Sequence, residues 1–169
     1  ATVAYQWGSA GNPFRVGTYL LQSGTDPAKQ VQMGLSAPVV KDASAGVAYP
    51  DNGVIPSVPY DQELILVFQE IDPEIHAAVA AGTYGPGGTI TSSVYREPGY
   101  FLINGMAHPD AGLDPVNAAV PVNPSESLLI RFINAGAETH MPQILGDYMT
   151  VVAEDGNPVK YAQERYCMD

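Results

Sequence analysis

The sequence predicts an all-β protein: a sandwich of short strands with one short helix near residues 73–81. Three observations predict it. Seventeen Gly and fifteen Pro among 169 residues favour short strands with frequent turns over helices. Residues 127–134 alternate, with Leu128, Ile130 and Phe132 facing one way and Leu129, Arg131 and Ile133 the other, which is the period of a strand. Residues 148–153 form a second run rich in β-branched side chains and lead into Asp155-Gly156, the dipeptide that a tight turn with positive φ needs. Between them lies the turn Asn134-Ala135-Gly136 and the polar segment 137–147. A connection of that length suits two packed sheets rather than a simple hairpin.

Taken in order, residues 2–7 alternate as a strand and residues 8–13 form a loop. Residues 16–22 are the next strand, 23–29 are polar and turn-rich, and 31–35 lead into a short strand at 38–40. These pieces cannot bury a core alone. Residues 42–62 carry Pro50, Asn52, Gly53, Pro56 and Pro59 without periodicity, and read as a linker or extended crossing segment. Residues 63–69 (ELILVFQ) make a strongly apolar strand, expected at the centre of a sheet. Asp72-Pro73-Glu74 supplies an N-cap, a proline at the first helical position and an acid in the first turn, and Gly82 ends the helix. Residues 84–97 are a long excursion rich in Gly, Ser and Thr. Residues 100–104 form a short buried strand closed by Gly105, 106–117 a loop, 118–122 a short strand, and 159–167 the start of another.

Charge and composition exclude several classes. Seven basic residues stand against eighteen acidic ones, a net charge of −11. A nucleic-acid partner would need a basic stripe, and an anionic membrane surface would repel the chain. No run approaches the about 18 apolar residues of a membrane-spanning helix. A single cysteine, Cys167, excludes an internal disulfide framework. The first residues lack the basic and apolar segments of a signal peptide.

With the strands in place, four pieces carry a family resemblance. Residues 17–40 (GTYLLQSGTDPAKQVQMGLSAPVV) resemble the closing segment of a first cupredoxin domain. Residues 70–77 (EIDPEIHA) and 100–105 (YFLING) resemble the opening of a second, and residues 128–156, with R-x-x-N-A-G and D-G, resemble its core. The chain is thereby identified as similar to the multicopper oxidases. The resemblance implies a cupredoxin-like Greek-key β-sandwich. It divides the chain into 1–41 (closing strands of a first domain), 42–62 (linker) and 63–169 (a second domain lacking its last strands). It also implies that the chain is a fragment, a subunit, or a permuted sandwich in which the N-terminal strands complete the later domain. Export to an extracellular or periplasmic compartment follows from the resemblance alone.

The family's chemistry needs copper, and the expectation here is that this chain binds none. A blue-copper site uses two His and a Cys, often with a weak Met. In the closing loop, Gln22 and Ser23 stand where a His-Cys pair could fall, and Gln30 and Gln32 stand near the remaining His position, with Met33 beyond. The H-x-H pairs that the family's trinuclear centre requires do not occur in the sequence. The residual metal candidates are His140, Cys167 and Met168, with Met141 beside the first. His76 shares a helix face with Asp72, though an exposed structural role is expected. His108 lies near Asp110 and Asp114 in a loop whose spacing matches no calcium-binding hand. No G-x-S-x-G elbow and no phosphate loop occur. Arg131 is expected in a structural pair with an acid such as Glu126 or Asp155. No catalytic or cofactor-binding residue is assigned. The resemblance implies a structural section of a copper-dependent oxidase that reduces dioxygen elsewhere, inactive by itself and joined by strand-edge pairing to other chains or to the rest of the same protein. The alternative is a copper-free sandwich used for interaction within an assembly.

Overall fold

A computed structural model describes residue 4, residues 6–107 and residues 120–166. In chain order the strands and helices are β1 (Gly8–Ser9), β2 (Asn12–Pro13), β3 (Gly17–Gln22), α1 (Pro27–Gln30), β4 (Ser36–Lys41), β5 (Val47–Tyr49), β6 (Val58–Pro59), β7 (Gln62–Ile71), α2 (Pro73–Ala80), β8 (Tyr100–Ile103), β9 (Met106–Ala107), β10 (Leu128–Asn134), β11 (Met149–Glu154) and β12 (Asn157–Arg165). The protein is all-β, as its composition predicts.

The apolar strand β7 is central. It lies between β10 and β8 in a four-stranded sheet of order β10-β7-β8-β9. β10 runs parallel to β7, in register from Leu128 opposite Gln62 to Asn134 opposite Phe68. β8 runs antiparallel to it, from Ile103 opposite Phe68 to Tyr100 opposite Ile71. A parallel pair cannot be closed by a tight turn, which is why β7 and β10 are joined through the helix and the long excursion. β11 pairs with β12 and not with β10, so the polar segment after β10 does leave its sheet. The Asp155-Gly156 turn has φ of 49° and 73°, the double left-handed turn expected of that dipeptide.

The buried cluster is Val67, Ile133 and Ala135, with Leu20 and Ile65 packed against it. Leu20 belongs to the β3–β4 hairpin, so the N-terminal strands close over the sheet that the later residues build. That hairpin also meets the β11–β12 turn. A Cβ on Gly156 would approach the Tyr19 ring at 2.9 Å and the Thr18 carbonyl oxygen at 3.2 Å. Only a glycine admits this approach at a φ of 73°.

The helix α2 forms as predicted. Asp72 Oδ1 accepts from the backbone N–H of Glu74 at 2.8 Å and of Ile75 at 3.2 Å. Asp72 Oδ2 also accepts from the Glu97 N–H at 2.8 Å, so one buried carboxylate caps the helix and pins the end of the excursion. The helix buries Ile75 and Ala78.

The structure departs from expectation in several places. Asp26-Pro27 repeats the cap-and-proline device of Asp72-Pro73 and opens the four-residue helix α1, too short to show any periodicity. Residues 8–13 are a small hairpin rather than a loop, because Gly8 takes a φ of 82° and the Ser9 hydroxyl accepts the Asn12 N–H. The described residues of 2–7 are not strand. Residues 42–62 contain β5 and β6, and Ala48 and Tyr49 there are among the most buried side chains. A three-residue apolar island among prolines and glycines gives no periodic signal. Residues 120–122 form no strand, and 118 and 119 lie outside the described residues.

Candidate functional site

Alternation along β10 places Arg131 and Ile133 on its buried face. Arg131 is 5% exposed, so its charge must be met inside the protein. Its Nε donates to Glu63 Oε1 at 2.6 Å, Nη1 to Thr18 Oγ1 at 2.8 Å, and Nη2 to Asp42 Oδ1 at 2.6 Å. The Tyr60 hydroxyl donates to the other oxygen of Asp42 at 2.5 Å. Burial alone would lower the guanidinium pKa, but the hydrogen bonds and charges of Glu63 and Asp42 outweigh it and raise it. The Tyr60 phenol is held above its ordinary range, first by that bond to Asp42. Burial does the same for Tyr49. The structural role expected for Arg131 holds, but its partners differ from those predicted. Glu126 instead accepts from the Asn123 N–H at 3.0 Å and Nδ2 at 2.9 Å. Asp155 forms the β11–β12 turn. Sequence spacing could not reveal that a parallel strand and a distant hairpin would bring Glu63, Asp42 and Thr18 to one guanidinium.

The N-A-G portion of the motif has a separate explanation. Asn134 Oδ1 accepts the Gly136 N–H at 2.9 Å, and Asn134 Nδ2 donates to the Glu138 carbonyl at 2.7 Å. These bonds fold the chain back sharply as it leaves β10. Ala135 is buried, and its N–H donates to the Phe68 carbonyl at 2.9 Å. Gly136 then lies directly against the carboxyl of Glu70, where any Cβ would collide with both carboxylate oxygens. Glu70, at the end of β7, is 3% exposed. Its Oε1 accepts the Ala137 N–H. Its Oε2 is buried and has no hydrogen-bond partner among the described residues.

Two clefts of about 190 Å³ and 150 Å³ meet over this turn and share Val31, Gln32, Ala135 and Gly136 as lining. Glu70 and His76 line the smaller one. Gln32 Oε1 is also buried without a partner among the described residues. Sequence reasoning missed both acceptors. The available signal was a glutamate ending an otherwise apolar strand.

The histidines are dispersed. His76 is half-buried rather than exposed, and its Nε2–H donates to the Gln32 carbonyl at 2.9 Å, docking α2 on the segment after α1. His140 stacks on Phe68 with ring centroids 4.9 Å apart, and Met141 beside it is 63% exposed. Cys167 and Met168, the other metal candidates, and the loop holding His108, Asp110 and Asp114, lie outside the described residues. Among the described residues no three His, Cys, Asp or Glu side chains converge as metal ligands. In the closing loop the Ser23 hydroxyl is bonded to Gln30 Oε1. A hydroxyl and neutral amides are a poor donor set for copper, so the residues described there do not fit that ion. No helix among the described residues is long and apolar enough to cross a membrane.

Comparison with known proteins bears on what this architecture belongs to. A search of curated protein sequences finds no significant match. The structure is similar to the crystal structure of a blue copper oxidase from Nitrosomonas europaea, with a TM-score of 0.64 and 16% sequence identity, over 93% of this chain and 43% of that one. At that identity the likeness shows the fold, which is cupredoxin-like, and the chain spans 43% of the other's length. The sequence pattern of the multicopper oxidases matches residues 75–166, a stretch that contains most of the second helix, β8 and the whole R-x-x-N-A-G and D-G core. The chain therefore belongs to the multicopper oxidase family.

Proposed function

We propose that this cupredoxin-like section serves its oxidase mechanically and electrostatically, holding copper-bearing parts of the protein in place while binding no copper itself. The observation that carries the reading is the Arg131 network. One buried guanidinium fastens β3 (Thr18), the segment after β4 (Asp42) and β7 (Glu63) to β10. This makes a rigid block of segments that the sequence would assign to a domain end, a linker and a second domain. The sequence supports the rest: no H-x-H pair and a closing loop of Gln22, Ser23, Gln30 and Gln32. In this reading residues 1–41 close a first domain, 42–62 cross, and 63–169 form most of a second. Substrate oxidation and the reduction of dioxygen to water take place on ligands carried elsewhere in an exported protein. Strand-edge pairing joins the section to the rest.

A second reading is a copper-free sandwich that acts as an interaction module. Its support is the exposed apolar surface of the β11–β12 hairpin and its approach, where Leu145 is 80%, Tyr161 72% and Tyr148 66% exposed.

Copper per chain, measured on the purified chain together with thiolate-to-copper absorption in the visible, tests the proposal. The expected result is no stoichiometric copper and no blue band. A blue band with one copper per chain would overturn it and would bring His140, Cys167 and Met168 back as ligands.

A further inference from the structure

We infer that Asn52 is a self-modification site, where the backbone nitrogen of Gly53 attacks the side-chain amide and converts the asparagine to a succinimide, and water then converts it to aspartate or isoaspartate. The starting point is a contrast between two copies of one dipeptide. Asn-Gly occurs at 52–53 and again at 104–105. A glycine after the asparagine leaves ring closure unobstructed, because no Cβ stands beside the attacking nitrogen. Asn52 and Asn104 are both exposed, so water reaches each of them and exposure does not separate the two. Their hydrogen bonds do.

Asn52 lies between β5 and β6. Its Oδ1 accepts the backbone N–H of Val54 at 3.0 Å and of Ile55 at 2.9 Å. Ring closure turns that oxygen into an oxyanion, so both donors already stand where negative charge develops. The attacking nitrogen is met as well. The Gly53 N–H donates to Asp51 Oδ1 at 2.7 Å, which places a carboxylate to accept its proton. Asn104 is held the opposite way. Its Oδ1 accepts the Val67 N–H at 2.9 Å, and its Nδ2, the nitrogen that would leave, donates to the Ile65 carbonyl at 3.0 Å. Its own N–H donates to the Val67 carbonyl at 2.9 Å. Side chain and backbone are thus clamped to the central strand β7, and ring closure there must first break these bonds.

The step at Asn52 balances without an oxidant or reductant. The bond from Gly53 N to Asn52 Cγ forms and the Cγ–Nδ2 bond breaks. The Gly53 proton passes by way of Asp51 to the leaving nitrogen, which departs as ammonia. Water then opens the ring at one of its two carbonyls. One opening gives aspartate, and the other gives isoaspartate, in which the main chain runs through the former side chain. Either product adds a negative charge to a chain that already carries −11. Isoaspartate also lengthens the backbone between β5 and β6, next to the strand that carries the buried Ala48 and Tyr49.

The test incubates the 169-residue chain near neutral pH and follows conversion at each site by peptide mass spectrometry, with isoaspartyl methyltransferase labelling to read isoaspartate. The same chain unfolded in guanidinium gives the rate that the dipeptide alone sets. In the folded chain Asn52 is expected to convert at least as fast as in the unfolded one. Asn104 is expected to convert at least about tenfold more slowly than Asn52, because its side-chain bonds must break first. Asp51→Ala is expected to slow conversion at Asn52 by about tenfold or more and to make the rate rise in proportion to hydroxide, which the internal carboxylate otherwise replaces. Three results would overturn the inference: slower conversion of Asn52 in the folded chain than in the unfolded one; equal rates at Asn52 and Asn104 in the folded chain; or an unchanged rate and pH profile in Asp51→Ala. The first two need no variant, so the test stands whether or not Asp51→Ala folds.

Discussion

Replacing Arg131 by alanine is the most informative single perturbation of this fold. The substitution removes three hydrogen bonds of 2.6, 2.8 and 2.6 Å made by a side chain only 4% exposed. Breaking a fully buried ion pair costs about 3–5 kcal/mol, because the abandoned charges stay buried. Here the abandoned side chains of Asp42 and Glu63 are 22% and 28% exposed, so water reaches them in part. The expected loss is accordingly about 2–3 kcal/mol. For a chain of this length that corresponds to about 5–10 °C in Tm. Urea unfolding followed by circular dichroism at fixed pH measures it. Arg131→Lys is expected to recover less than half, because one ammonium cannot hold Glu63, Asp42 and Thr18 in three directions. A loss for Arg131→Ala below about 0.5 kcal/mol would refute the reasoning, since that is what an exposed pair contributes. A double-mutant cycle with Glu63→Ala then isolates the pairwise part.

Other outcomes follow from the same contacts. Gly136→Ala is expected to cost about 1–3 kcal/mol, through displacement of the Glu70 carboxylate it would strike, and chemical unfolding reads this directly. Gly156→Ala should destabilise by about 1 kcal/mol or more, from its φ of 73° and its approach to Tyr19. Acid should weaken the fold through Asp72. Burial alone would raise its pKa, but the N–H groups of Glu97, Ile75 and Glu74 outweigh it and hold the folded value below the ordinary one. The contribution is therefore complete above the unfolded carboxyl pKa of about 3.9 and is lost as pH falls through the lower folded value. Asp72→Ala should remove about 1 kcal/mol near neutral pH and flatten this acid limb in a pH series of melts. By size-exclusion chromatography the isolated chain is expected to oligomerise. A sharply melting monomer would instead favour a self-complete, permuted sandwich.

Much of this fold was legible in the residues. The alternation of β10, the apolar run of β7, the Asp72-Pro73 start of α2 and the Asp155-Gly156 turn are local signals, and each formed where its chemistry placed it. The partners of Arg131 were not legible, because Thr18, Asp42 and Glu63 come to it through a parallel register and a docked hairpin. The cleft was hidden for a similar reason. Nothing in the local pattern around Gly136 says that a carboxylate from the end of another strand will occupy the space a Cβ would take. Ala48 and Tyr49 were obscured by the prolines and glycines on both sides.

The reach of the Arg131 contacts along the chain has a consequence for biosynthesis. The bond to Thr18 spans 113 residues and the bond to Asp42 spans 89. A ribosome extending at roughly 5–20 residues per second needs about 6–23 s to travel from the first of these partners to the guanidinium. For the last 60 residues of that stretch, from the end of β7 at Ile71 to Arg131 and about 3–12 s at that rate, β7 lacks its parallel neighbour, and its Val67 has no Ile133 to pack on. The nascent section must therefore wait, with an apolar strand uncovered, until β10 has emerged. Vectorial synthesis makes that strand the natural place for a holding chaperone to bind, and Arg131 the residue whose arrival closes the window.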